Sequence, residues 1–229
     1  MSCRLNISMS AASVDALKGQ NYALYAFQAV RYGPQLRKSL TAPGFGGGYP
    51  LVWYCSMAYM ANTSITWDDS PTAYISSTPL GDNVQVTVGD TRPVVLSEII
   101  EARDGTLGEP ASNGNPGVVS IISAASVTQS CGLATSATAP ICAFPLHPGQ
   151  MAMIAPEKQV LVMFTIDGPK ERMAITKAYG EGLLIDFNGE DKRSVSFDIN
   201  TRWNANTFNW CRKIPANTDL PNLLIHPAQ

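Results

Sequence analysis

QVLVMFTIDGPKERMAITKAYGEGLLIDFNGEDKRSVSFDIN, residues 159–200, is the stretch that decides the fold class. It contains strand-like runs at 159–166, 171–179, 182–187 and 194–200, which are rich in β-branched and aromatic residues. Two pairs typical of tight turns, Asp167-Gly168 and Asn188-Gly189, fall between these runs. Short runs joined by such turns predict an antiparallel β-meander.

The rest of the chain repeats this pattern at lower density. Apolar and polar residues alternate at 63–68 and 84–88, and Gly- and Pro-rich segments separate the runs. We therefore predict an all-β fold, an antiparallel β-sandwich of about eight to twelve strands with long loops, with a barrel-like closure as the alternative. At most two short helices are expected, near 13–17 and 94–102. One domain is expected over 1–229, with 215–229 as an extended C-terminal tail on the surface.

The charge and the apolar content limit the classes of partner. The 229 residues carry a formal net charge of -2, so there is no excess of Lys and Arg to replace the counterions of a phosphate backbone. Nucleic acid is therefore not an expected partner. Residues 1–17 contain Arg4, Asn6 and Asp15, which interrupt any signal-like apolar run, and this favours a cytoplasmic protein. No apolar run approaches the roughly 20 residues of a transmembrane helix.

The cysteines and glycines give no sign of a cofactor. Five cysteines at irregular spacing fit neither a disulfide framework nor a zinc site, so reduced buried thiols are predicted. A disulfide between Cys131 and Cys142 is the alternative. The glycine-rich segment 43–49 lacks the Lys and Ser or Thr of a phosphate loop and is interpreted as a linker. We expect no metal and no cofactor.

Candidates for acid–base chemistry are few. The chain has two histidines, and one of them, His226, lies three residues before the last residue given, so His147 is the better candidate for catalysis. Asp68 follows Trp67 at the end of a predicted strand, but it shares no face with the adjacent Asp69, because neighbouring strand residues point to opposite sides. The weak catalytic candidates are Tyr54, Asp68, His147 and Asp186.

Binding a ligand requires fewer precisely placed groups than catalysing a reaction does. Aromatic rings cover the apolar face of a sugar, and Asn and Asp side chains form hydrogen bonds with its hydroxyl groups. Residues 202–207, RWNANT, form the most polar and aromatic stretch of the chain. The predicted ligand-binding residues are Trp67, Asp68, Trp203, Asn204, Asn206 and Trp210.

Two hypotheses about function follow. The first is a non-enzymatic recognition protein of lectin or defence-protein type, which binds a carbohydrate or a lipid headgroup through aromatic, Asn and Asp-bearing loops. The alternative is a cofactor-independent enzyme, a cyclase, isomerase or dehydratase, that acts on an apolar small molecule in a β-sandwich cavity. The alternating run 84–88 would also permit strand pairing between copies in a homo-oligomer.

Overall fold

The computed structural model describes residues 2–36, 47–166, 168–205 and 208–228. These ranges contain mostly strands, and the prediction of an all-β, sandwich-like fold is confirmed. The elements are β1 (Ser2–Ser8), α1 (Ala11–Gly19), β2 (Ala23–Leu36), β3 (Tyr49–Pro50), β4 (Tyr54–Ser56), β5 (Asn62–Asp68), β6 (Thr72–Ser76), β7 (Thr91–Pro93), β8 (Ile99–Arg103), β9 (Thr106–Leu107), β10 (Val119–Ser123), β11 (Gln129–Ala134), β12 (Cys142–Leu146), β13 (Gln150–Thr165), β14 (Gly182–Asp186), β15 (Lys192–Asp198), β16 (Arg202–Asn204), β17 (Cys211–Ile214), α2 (Leu220–Leu224) and β18 (Ile225–Pro227).

The strands form three sheets. Sheet I has the order β16-β15-β1-β5, and sheet III has the order β3-β12-β11-β6-β7. Sheet II follows the path β17-β14-β13-β10-β8-β9, and β2 pairs with β13 and carries β4 and β18 on its other edge. Most pairs are antiparallel, while β1 with β15, β8 with β10, and β2 with β18 are parallel.

The long ladder between β2 and β13 is the centre of sheet II. Its register runs from Ala23 opposite Thr165 to Leu36 opposite Gln150, with an irregularity between Pro156 and Val160. A bulge of this kind bends the strand and increases its twist. It allows the two halves of β13 to pair with different neighbours on the other edge, β10 and β14.

Aromatic side chains fill the space between sheets I and II. Trp67 of β5 contacts Phe187, which follows β14, with ring centroids 5.1 Å apart, and it contacts Trp53 at 5.6 Å. A second group joins Phe164 of β13 to Phe197 and Trp203 of sheet I, at 4.7 and 5.6 Å. Such edge-to-face and tilted contacts are the favoured geometries of aromatic pairs.

The β-meander prediction is wrong in its pairing. Residues 171–179 form no strand, and their backbone makes single bridges from Met173 to Gln85 and from Ala174 to Leu51. β13 therefore pairs directly with β14. The turn at Asn188-Gly189 joins β14 to β15, which belong to different sheets. The alternating run 84–88 likewise makes only the bridge at Gln85.

The first predicted helix is α1, and it begins with a capped first turn. Ser10 is its N-cap, and the Ser10 hydroxyl accepts a hydrogen bond from the Ser13 backbone N–H at 3.1 Å. Val14 and Leu17 are buried beneath the helix. The ambiguous segment 94–102 contains no helix, and its second half belongs to the strand β8.

Residues 215–228, expected as an extended surface tail, fold back onto sheet II. They contain α2, in which Leu220 and Leu224 are fully buried. β18 then pairs in parallel with β2, and His226 Nδ1 lies 2.5 Å from Glu157 Oε2. Within the described ranges, no helix has both the length and the apolar character needed to span a bilayer.

Candidate functional site

A cleft runs along the line where sheets I and II come together at their edges. We call it the seam cleft; β15 and β16 form one wall, and β14 and β17 form the other. Three depressions lie along these strands, with volumes of about 480, 190 and 280 Å³, and the two smaller ones share Phe197 and Arg202. We name them by one residue each: the Trp210 depression, the Asn204 depression and the Glu181 pocket. From Glu181 to Asp186 the cleft extends about 17 Å, at about 3.3 Å per strand residue.

Arg193 organises the Trp210 depression. Its Nε atom donates a hydrogen bond to the Asp186 carbonyl oxygen at 3.0 Å, and its guanidinium carbon lies 4.7 Å from the centre of the Trp210 ring. The backbone N–H of Asp186 donates to the Trp210 carbonyl at 2.8 Å. Arg193 belongs to β15 of sheet I. Asp186 belongs to β14 of sheet II, and Trp210 directly precedes β17 of the same sheet. The guanidinium therefore ties the two walls of the cleft together.

The turn after β14 shapes the floor of the same depression. The Asp186 carboxylate accepts a hydrogen bond from the Asn188 backbone N–H at 2.7 Å, and Gly189 has a φ of 80°. A side chain at Gly189 would be strained in this left-handed conformation, so glycine is favoured there. Asn188 and Glu190 of this turn line the depression, together with Asn209, which precedes β17.

A stacked aromatic pair stands beside these polar groups. The rings of Phe208 and Trp210 are 4.6 Å apart and inclined by only 24°. Trp210 is partly buried beneath this contact and the Arg193 guanidinium, whereas Phe208 remains 40% exposed. The two rings therefore form one aromatic stack beside the depression, and the outer ring, Phe208, is open to solvent.

The Asn204 depression occupies the middle of the cleft. Trp203 is only 1% exposed, and its Nε1 has no hydrogen-bond partner within the described part of the chain. Asn204 is exposed. Asp198 lies on the rim and accepts hydrogen bonds from the backbone N–H groups of Asn200 and Thr201 and from the Ser13 hydroxyl. These bonds, with that from Asn200 the strongest, lower the pKa of Asp198.

The Glu181 pocket closes the far end. Phe164 and Phe197 form its buried wall, and Tyr22 and Tyr179 stand at its opening. The Tyr179 hydroxyl donates to Asn83 Oδ1 at 2.6 Å, which fixes this ring at the rim. Glu181 Oε1 is buried without a hydrogen-bond partner among the described residues.

Four of the predicted site residues therefore meet along the cleft, namely Asp186, Trp203, Asn204 and Trp210. The other candidates do not join them, and they do not meet each other. Trp67 is a core residue at 7% exposure, and Tyr54 is half-buried in β4. Asp68 is exposed at the end of β5, and the exposed His147 has its Nδ1 3.0 Å from the Thr128 hydroxyl. Asn206 lies outside the described residues.

Sequence reasoning missed Glu181, Arg193 and Asn209 as members of the site. Glu181 immediately precedes β14, and Arg193 lies near the start of β15, positions where charged residues are ordinary surface features. The Phe208-Asn209-Trp210 triplet carried a usable signal, because it combines two aromatic rings with an amide, the residue types that recognise sugars.

The thiols lie apart from this cleft. All five cysteines are free, so the alternative disulfide between Cys131 and Cys142 is not formed. Burial raises the pKa of Cys142 to about 12, and it also raises the pKa of Cys131. The two thiols therefore stay protonated at neutral pH and pack as core residues.

Residue clusters of the metal-binding kind are also missing from the described ranges, where no three His, Cys, Asp or Glu side chains are grouped to hold an ion. Comparisons of the chain with family models, with curated proteins and with solved structures found no match.

Proposed function

We propose that this protein is a non-enzymatic recognition protein that binds a saccharide in the Trp210 depression. The observation that carries the proposal is the Phe208–Trp210 stack: Trp210 lines the depression, and the Phe208 ring stacked on it is 40% exposed. The C–H groups on one face of a sugar ring are apolar, and they pack against aromatic rings. The exposed face of Phe208 offers such a surface.

The polar lining complements the hydroxyl groups of a sugar. Asn188 and Asn209 supply both donors and acceptors, and Glu190 supplies acceptors. Arg193 is already committed to Asp186 and Trp210, so it keeps the site in one shape. A preformed site of this kind loses little entropy when a ligand binds.

The openness of the depression favours recognition over catalysis. A catalytic cavity for an apolar molecule would bury most of its substrate and would exclude water around the reacting groups. The Trp210 depression is instead wide and shallow, with polar side chains around an aromatic platform. Its volume of about 480 Å³ is large enough for one or two sugar rings.

A glycan array probed with the labelled full chain tests the proposal. We expect a set of glycans to bind the native protein, and Phe208→Ala to weaken that binding at least about tenfold, because stacking area is lost. Leu96→Ala is the matched control, since Leu96 is 44% exposed and lies outside the seam cleft. An array without signal, or equal binding by the two variants, would refute saccharide binding at this site.

A further inference from the structure

The opposite end of the seam cleft carries a cluster of exposed apolar side chains. Ile166 and Tyr179 line the Glu181 pocket and are 40% and 46% exposed. Met57 and Met60 are 53% and 66% exposed. These four are half of the eight large apolar side chains that the described residues expose, so the exposure is concentrated at one place.

Backbone pairing shows that the methionine loop adjoins the pocket. Leu24 pairs with Ser56 on one side and with Phe164 on the other, so residue 57 begins beside the pocket wall. Tyr59, between the two methionines, donates its hydroxyl hydrogen bond to the Tyr22 carbonyl at 2.8 Å. Its ring also packs against Phe164 at 5.3 Å. Tyr59 therefore anchors the methionine loop to Tyr22 and Phe164, and both of these residues line the pocket.

The pocket between these side chains holds two uncompensated charges of opposite sign. Glu181 and Arg202 both line it, and neither makes an ion pair within the described ranges. Glu181 Oε1 is buried and has no hydrogen-bond partner among the described residues. Rotation about the last side-chain torsion of Glu181 exchanges the positions of its two carboxylate oxygens. Arg202 is exposed and has a φ of 63°, so a tight turn projects it at the rim.

We propose that this end of the protein docks onto a phospholipid bilayer and receives a zwitterionic headgroup in the Glu181 pocket. The ammonium group pairs with Glu181 and lies against Tyr22 and Tyr179, since aromatic faces attract cations. The lipid phosphate pairs with Arg202. Met57, Met60 and Ile166 enter the interface around the headgroup, where flexible apolar side chains gain from leaving water. This site is separate from the Trp210 depression and does not depend on saccharide binding.

Co-sedimentation with phosphatidylcholine vesicles at physiological salt tests the apolar part of the proposal. We expect the native chain to pellet with the vesicles and the double variant Met57→Ser, Met60→Ser to partition at least about tenfold less. The matched control is Val95→Ser with Val127→Ser, because these valines are 60% and 61% exposed and lie elsewhere. A native protein that stays in the supernatant, or equal losses in the two double variants, would overturn bilayer docking.

Variants that each remove one charge test whether the Glu181 pocket binds the headgroup. Glu181→Gln should reduce partition onto phosphatidylcholine vesicles by about threefold, the size expected for a partly exposed ion pair. Glu109→Gln, an exposed carboxylate outside the cleft, should leave partition unchanged. Equal partition of Glu181→Gln and the native chain would refute the headgroup assignment. Binding of soluble phosphocholine without any pelleting would refute docking and indicate a free-ligand site.

Discussion

The sharpest prediction about the seam cleft concerns Arg193, because this one side chain contacts both walls of the cleft. Replacing it with Met keeps most of the aliphatic stem but removes the donor to the Asp186 carbonyl and the cation over Trp210. We take about 1 kcal/mol for the hydrogen bond, since Arg193 is only half-buried, and about 0.5 kcal/mol for the cation–π contact. The expected destabilisation is therefore about 1.5 kcal/mol, or roughly 3 to 6 °C in Tm for a chain of this size.

Thermal unfolding followed by circular dichroism measures this loss, and Arg193→Lys separates its causes. Lysine retains the positive charge but lacks the planar fork that reaches Asp186 and covers Trp210 together. We expect Arg193→Lys to lose more than half of the stability that Arg193→Met loses, and both variants to bind glycans more weakly than the native chain. A Tm within 1 °C of native for Arg193→Met would show that the guanidinium does not join the sheets, and the reasoning would fail.

Two further predictions concern the core. Tyr74→Phe should lower the free energy of unfolding by about 1 to 2 kcal/mol in a denaturant titration, because the buried Tyr74 hydroxyl donates to the Cys142 carbonyl at 2.7 Å, across the space left by Gly132. Cys142 pairs with Pro50 in the sheet, and proline has no N–H that could replace the lost donor to the Cys142 carbonyl. An unchanged denaturant midpoint for Tyr74→Phe would contradict this account. Stability should also fall as pH rises above 9, since burial raises the folded-state pKa of Cys131 and Cys142 above the ordinary thiol value of 9.0 and the unfolded chain loses these protons first. The slope should reach up to about 1.4 kcal/mol per pH unit for each thiol, and a midpoint that stays constant from pH 8 to 10.5 would refute it.

The strands could be predicted from sequence, but their partners could not. Periodicity identified β5, β14 and β15 because each buries one face or both. It gave no information on pairing: β15 pairs in parallel with β1, which lies at the other end of the chain. Residues 171–179 have a strand-like composition, yet their backbone groups bond to residues 50–52, 83–86 and 217–220. Non-local contacts of this kind override local propensity.

The site was predictable only where its residues are unusual for a surface. Trp203, Asn204 and Trp210 attracted attention as aromatic and amide residues in one short segment, and the fold brings Asp186 to them. His147 and Tyr54 were chosen for their chemistry alone, and the fold places them elsewhere. Residue type alone does not show which other residues lie next to a candidate site residue. A second property, such as its position at a turn between two sheets, is needed before its neighbours in the fold can be inferred.

The seam cleft stays open because its two edge strands repel each other. β16 and β17 are the terminal strands of sheets I and II, and an unpaired strand edge would ordinarily attract another strand. Arg202 of β16 and Lys213 of β17 both line the Asn204 depression, so like charges face the same cleft and disfavour closure by pairing. Arg202 also lines the Glu181 pocket, where we propose that it pairs with a lipid phosphate. In that proposal one charge both protects a strand edge and supplies donors to the ligand.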